Sequence, residues 1–160
     1  MTKEKLPVTQ AIRVLKKSGI DYTLYPYRYE EKGGTEVAAR ELNVEEHQVI
    51  KTLVMENERS DPVLVLMHGD RQVSTKALAR TLKVKTITPS EAAVAHKHTG
   101  YFVGSISPFG TKKQLRVYME STIMDIPFIY INAGRKGLLA RISPEDLVKV
   151  LQPILVNVAI

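Results

Sequence analysis

The sequence predicts an α+β fold: one compact domain over residues 1–160, with short helices flanking a mixed, strongly curved, barrel-like β-sheet. Three observations point there. The 160 residues, 44% hydrophobic and 25% charged, have the make-up of an ordinary globular chain with enough length for a full core. Strand-like and helix-like stretches are interspersed without regular βαβ repetition. The stretch Gln48–Met55 is apolar on both alternating faces, as an interior strand requires.

Taken in order, Pro7 to Ser18 reads as a helix, with Pro7 in its first turn, Ala11, Val14 and Leu15 as its apolar stripe and Gly19 as its stop. Asp21 to Tyr29 alternates as a tyrosine-rich strand, and Pro26 makes it an edge or bulged one. After the turn Lys32-Gly33-Gly34, Thr35 caps a short helix through Leu42. The central strand follows, then a polar loop over Asn57–Asp61 and an apolar strand, Pro62–Met67, as its hairpin partner. Ser74 caps a helix through Leu82, Val84–Ile87 is a short strand, and Thr88 or Ser90 caps a helix through Ala95. A glycine-rich stretch covers Thr99–Gly110. Strands are expected at Gln114–Met119, Pro127–Ile131, Leu138–Ile142 and Ile154–Ile160, with a loop at Asn132–Gly137 and a helix from Ser143 to Leu151.

Lys51 breaks the central strand's pattern, on the face it shares with Val49, Leu53 and Met55. An ammonium there needs a partner, a water-filled cleft or a depressed pKa. It is a candidate site residue, with snorkelling to the strand edge or a structural carboxylate partner as the alternative. With no cysteine, the chain has no disulfide, no thiolate nucleophile and no cysteine zinc site. His96-Lys97-His98 has a spacing strand ligands can use, yet neither it nor His68 comes with an implied third ligand. Ser105 and Ser107 lack the elbow of a serine hydrolase. The apolar runs are too short to span a bilayer and no signal-type stretch follows Met1, so a cytoplasmic protein is expected.

The net charge of +6 is unevenly placed. Glu30–Asp61 holds nine acids against four bases, whereas Arg71–Arg116 holds nine bases against one acid, Glu91. Such a basic segment suits a polyanion such as nucleic acid, or else a solvated surface balanced in space by the acidic one. Within Thr99–Gly110, three glycines let backbone amides approach a ligand, although neither the P-loop nor the dinucleotide fingerprint is present.

Three segments together resemble the YbaK/EbsC-type aminoacyl-tRNA deacylases, relatives of the editing insertion of bacterial prolyl-tRNA synthetases. They are Val49-Ile50-Lys51-Thr52-Leu53, then Thr99-Gly100-Tyr101-Phe102-Val103-Gly104-Ser105-Ile106-Ser107-Pro108-Phe109-Gly110, then Ile129 to Leu138. The resemblance runs from the first helix to the last. It implies a compact domain that removes a wrongly attached amino acid, of cysteine or alanine type, from the 3′ end of a tRNA such as proline tRNA. The family's essential lysine falls on Lys51. Gly100 and Gly104 would then serve the ester, with Tyr25, Thr52, Tyr101, Ser107, Asn132 and Gly134 at the substrate and Lys112, Lys113, Arg135 and Lys136 on tRNA. No cofactor and no metal is implied. The expected partners are aminoacyl-tRNA and, in a transient complex, prolyl-tRNA synthetase, with the protein a monomer or weak dimer and no membrane involved. Two departures stand out: Asn132-Ala133-Gly134 replaces the Ser-Gly-Gly usual in cysteine-specific members, and Leu139 replaces an acid. A non-catalytic module that binds a nucleotide or RNA 3′ end is the alternative function.

Overall fold

The computed structural model describes Leu6 and residues 8–160. Its first helix, Gln10–Ser18 (α1), starts after the expected Pro7, which lies outside the described residues. Thr9 is the cap: its Oγ1 accepts from the Ile12 N–H at 3.1 Å and donates to the Ala133 carbonyl at 2.5 Å. The strands are Thr23–Pro26 (β1), Val49–Asn57 (β2), Pro62–His68 (β3), Ile87–Pro89 (β4), Val117–Glu120 (β5), Ile129–Arg135 (β6), Leu138–Ile142 (β7) and Ile154–Val156 (β8). The other helices are Gly34–Leu42 (α2), Thr75–Leu82 (α3), Ala92–Thr99 (α4) and Pro144–Leu151 (α5). None of the described helices is long and apolar enough to cross a membrane.

The strands form one mixed sheet in the order β1-β7-β6-β2-β3-β5-β8, with β4 also paired to β2. It is open, β1 and β8 being its edges, so the curvature stops short of a barrel. Pro26 sits on edge strand β1, where its missing N–H costs no ladder bond. Strand β2 is central. It pairs antiparallel with β3 and β4 and parallel with β6. Each face of β2 packs on a core: Ile50 and Val54 enter the largest cluster, beside Phe109, Ile123 and Ile131, while Leu53 and Met55 pack with Met67, Leu78 and Ile87. Val49, on the same face as Leu53, belongs to a third cluster with Ala38, Ala39, Tyr130 and Leu139.

Several expected boundaries move. Helix α2 starts at Gly34, inside the expected turn, and Thr35 does not cap it. Its Oγ1 donates instead to Glu46 Oε1 (3.2 Å) and to the Gly69 carbonyl (3.3 Å), tying the helix to the 3₁₀ turn Glu46–Gln48 and the end of β3. Strand β4 begins where the expected Val84–Ile87 strand ends, because its partner is the far end of β2, Met55–Asn57. Helix α4 starts after Glu91, whose side chain makes no cap bond, rather than at a Thr88 or Ser90 cap, and it runs on to Thr99, beyond the expected Ala95. Strand β5 starts three residues later than expected and β8 ends four residues earlier, its chain continuing to a single bridge between Val73 and Ala159. Asn132–Arg135 is not loop. It continues β6 through a bulge, and Lys136-Gly137 alone turns the chain into β7.

Gly69 holds this frame together by having no side chain. A Cβ there would lie 2.7 Å from the Glu46 carbonyl oxygen, Thr35 Cβ and Thr35 Oγ1. Gly69→Ala is therefore expected to destabilise the protein by about 1–3 kcal/mol, the usual cost of overpacking a closed site. Denaturant unfolding checks this; a midpoint equal to that of the parent protein would mean that α2 and the 3₁₀ turn are not locked together here.

Candidate active site

The sheet splits beside Lys51. On that edge of β2, strand β6 pairs only at Val49–Tyr130 and Ile50–Ile131, and β4 pairs only from Met55 onward. Between them Lys51, Thr52 and Leu53 face no strand, and a cavity of about 930 Å³ opens there. Its walls come from β2, α2, α4, the loop after α4 and the β6–β7 hairpin.

Lys51 is partly buried on this wall and makes no ion pair among the described residues. Burial pushes its ammonium below the usual lysine range, while Glu46 and Asp70 pull it back up from longer range. Both carboxylates are engaged elsewhere: Glu46 accepts from Thr35, and Asp70 Oδ1 lies 2.8 Å from His47 Nδ1. The His47 ring stacks on His68 at 3.7 Å. A carbonyl can only accept, so His68 Nδ1–H donates to the His47 carbonyl (2.8 Å) and Nε2 accepts from Thr122 Oγ1 (2.7 Å). These contacts fix the 3₁₀ turn behind Lys51 without neutralising it. Next door, Thr52 also lines the cavity, and its buried Oγ1 finds no hydrogen-bond partner among the described residues.

The glycine-rich stretch is an irregular loop, and its residues serve different ends. Gly100 does not line the cavity. It ends α4, and its N–H donates to the His96 carbonyl at 2.8 Å, so it has no donor left for an ester. Gly104 does line it, at φ +92°, where a Cβ would strike the Tyr29 hydroxyl at 2.6 Å. No described residue accepts from the N–H groups of Val103 or Gly104. Tyr101 points into the core. Its hydroxyl donates to the Phe109 carbonyl at 2.5 Å, and burial pushes its pKa up to about 12. Ser107 is fully buried and accepts from the Phe109 N–H, while Ser105 Oγ donates to the Phe102 carbonyl, so both hydroxyls are committed to the loop's own shape.

Asn132 lines the cavity and holds two chain segments in register. Its Nδ2 donates to the Gly104 carbonyl (3.2 Å), and its Oδ1 accepts from the Gly134 N–H (2.6 Å). Gly134 itself stays off the wall, packed against Tyr101 and Thr9. Tyr25 lies outside too, edge-on to Tyr130 and under Arg141. Leu139, cross-strand from both Asn132 and Tyr25, forms an apolar floor with Ala38 and Val49.

Of the expected phosphate contacts, Lys136 stands on the cavity wall. Its Nζ donates to Glu31 (2.9 Å) and lies 5.2 Å above the Tyr29 ring. Lys112, Lys113 and Arg135 are exposed and off the wall; Lys113 Nζ is 3.0 Å from His98 Nδ1. His96 and His98 lie two apart on α4 and diverge, which undoes the strand-type HxH spacing. No group of three potential metal ligands occurs among the described residues. Sequence reasoning missed Thr35, His96, Tyr29 and Phe102 as wall residues. Phe102, an aromatic inside a glycine-rich loop, was the one with a readable signal.

The family model of the aminoacyl-tRNA editing domain matches residues 30–150. Among curated relatives, "Putative Cys-tRNA(Pro)/Cys-tRNA(Cys) deacylase EbsC" of Enterococcus faecalis is 27% identical over 140 residues, 87% of this chain and 85% of that one. Proline--tRNA ligase of Streptococcus equi subsp. zooepidemicus is 32% identical over 111 residues, 69% of this chain but 18% of the ligase. Among solved structures, hypothetical protein APE2540 superposes with a TM-score of 0.87 at 20% identity, covering 95% of this chain and all of that one. A "putative trans-editing enzyme for prolyl tRNA synthetase" reaches 0.81 at 19% identity, over 96% and 98% of the two chains. At these identities the structures speak for the fold.

The depressed pKa of Lys51 has a signed consequence. Between the folded and the unfolded pKa the unfolded chain holds more protons, so this residue's contribution makes stability rise with pH through that window. Below the window it opposes folding. Lys51→Met is therefore expected to melt at the same or a higher temperature than the parent near pH 7, with the difference shrinking toward about pH 10. Thermal melts across that range check it; a variant that is markedly less stable at neutral pH would show that the ammonium holds the fold together.

Proposed function

Since the chain belongs to the aminoacyl-tRNA editing domain family, we propose that it is a trans-acting deacylase. It cleaves the ester between a small, uncharged amino acid, of cysteine or alanine type, and the 3′ end of a mischarged tRNA. Residues 1–160 act as one editing domain in the cytoplasm, and tRNAs for proline are the foremost candidates, given the relatives matched. The observation that carries this reading is the partly buried ammonium of Lys51 at the break in the sheet, with no ion-pair partner among the described residues. A compact cation on the wall of a cavity with a largely apolar floor is matched by a terminal ribose or phosphate oxygen.

The reaction needs little from the protein beyond placement, because an aminoacyl ester is already activated. The oxygen of a water molecule, or the thiol of a cysteinyl substrate, adds to the ester carbonyl carbon. The carbonyl oxygen gains charge and is met by the N–H groups of Val103 and Gly104. The bond to the ribose oxygen then breaks, that oxygen takes up a proton, and the amino acid leaves from a tRNA with both terminal hydroxyls free. With water the amino acid leaves as its carboxylic acid, and with the thiol as a thiolactone. No enzyme nucleophile takes part: the chain has no cysteine, and Ser105 and Ser107 are committed to the loop. Lys51 anchors the terminal nucleotide, and Asn132 holds the loop against the hairpin. The floor of Ala38, Val49 and Leu139 receives the amino-acid side chain.

Two measurements test this. Lys51→Met is expected to stay folded while single-turnover deacylation of cysteinyl- and alanyl-tRNA falls by roughly 10²-fold or more. Lys51→Arg should fail as well, since a planar fork does not fit the place of an ammonium. A fully active Lys51→Met protein would remove the site from β2. A parent protein that binds the RNA and cleaves no aminoacyl ester would instead be a 3′-end binding module of the same fold.

Leu139→Ala deepens the floor by about three carbons. It is expected to shift the ratio of kcat/KM for alanyl- over valyl-tRNA toward the valyl substrate by roughly 10- to 200-fold. Parallel rates on the two substrates measure it, and an unmoved ratio would place the amino acid elsewhere.

A further inference from the structure

Phe102 is out of place for an apolar residue. It is 66% exposed at the rim of the Lys51 cavity, yet its ring is not free to move. It stacks on His96 with centroids 4.2 Å apart and planes 15° from parallel. The His96 ring is itself held, with Nδ1 3.2 Å from the Tyr101 carbonyl, and helix α4 carries it from behind. One face of the phenyl ring is thus covered and fixed, while the other is offered to solvent above the cavity. Lys32, Lys51 and Lys136 line the same cavity as Phe102, with Glu31 beside Lys136.

We propose that the Phe102–His96 pair is a stacking platform for the base of the tRNA's terminal adenosine. A pre-stacked ring, with exposed Val103 next to it, on a cavity that also holds lysines suits a flat, anion-linked ligand that can stack and pair at once. A purine laid on the outer face of Phe102 continues the stack that His96 begins. Its ribose would then reach toward Lys51 and its ester into the cavity, because Phe102, Gly104 and Lys51 line the same opening. The platform also gives the rim a role that the amino-acid pocket does not supply: it reads that a nucleotide end is present, whichever amino acid it carries. This inference rests on the deacylase reading for its ligand, and it stands on the stacked pair for its place.

The test uses a CCA-ended RNA hairpin whose terminal adenine is replaced by 2-aminopurine, a base whose emission falls when it stacks. The chain has no tryptophan, so the background is low. Quenching on binding is expected for the parent protein and for Phe102→Tyr. Phe102→Ala is expected to lose the quenching and to bind roughly 5- to 100-fold more weakly, the range for one base–aromatic stack. A hairpin with an abasic 3′ residue should bind the parent protein as weakly as the normal hairpin binds Phe102→Ala. In deacylation assays the loss should sit in KM, with kcat little changed. The inference is overturned if the parent protein does not quench the probe, if Phe102→Ala quenches it as well, or if the abasic hairpin binds like the normal one. Failure of the two readings is separable. A parent that quenches but never deacylates keeps the platform and loses the enzyme, whereas a parent that deacylates with a KM indifferent to Phe102→Ala keeps the enzyme and loses the platform.

Discussion

Everything at the cavity follows from where β6 leaves β2. A parallel pair two residues long holds Val49 and Ile50, after which the two strands part. Had the ladder continued, Lys51 and Thr52 would be ordinary interior strand residues with neighbours on both sides. Because it stops, the edge of the most central strand is laid open inside the protein. The elements that crowd that opening are fastened to one another: Thr35 to Glu46 and Gly69, Asn132 to Gly104 and Gly134, and Thr9 to Ala133. These bonds let a gap in a sheet persist as a cavity with fixed walls.

The electrostatics follow the same division. Near the opening, Lys136 pairs with Glu31 and Arg40 with Glu30. Such exposed pairs contribute little to stability. Lys51 is left as the charge with a desolvation cost and no direct partner among the described residues. In the proposed function, the tRNA end is what completes it.

Much of this was legible in the sequence because it is written in alternation. The two apolar faces of Gln48–Met55, the anomaly of Lys51, the hairpin with Pro62–Met67, the caps at Ser74 and Ser143 and the edge position of Pro26 all depend on local pattern, and the structure has each of them. The errors fell where a distant segment decides. Thr35 looked like a cap until Glu46 and Gly69 claimed its hydroxyl. Asn132–Arg135 looked like a loop, but pairing with β7 draws a glycine-bearing segment into the ladder. Tyr101, Ser107 and Gly100 belong to the stretch that carries the family resemblance, and motif membership alone could not tell residues that shape the loop from those that face the cavity. Phe109, whose carbonyl and N–H take up Tyr101 and Ser107, is what sorts them.

The sheet order has a consequence for how the protein is made. Strand β1 pairs with β7, so Thr23 must wait for Arg141, and the cavity wall needs Tyr27 from one end of the sequence and Leu139 from the other. A ribosome that has released the first hundred residues has delivered Lys51, but neither Asn132 nor Leu139. Pairings this far apart in sequence close slowly, on the order of milliseconds to seconds for such topologies. The nascent chain therefore carries its lysine on an incomplete sheet whose open edges are prone to pair with other chains until the β6–β7 hairpin arrives. The cavity is thus among the last parts completed during synthesis, and a truncated product lacking that hairpin would carry Lys51 without the walls around it.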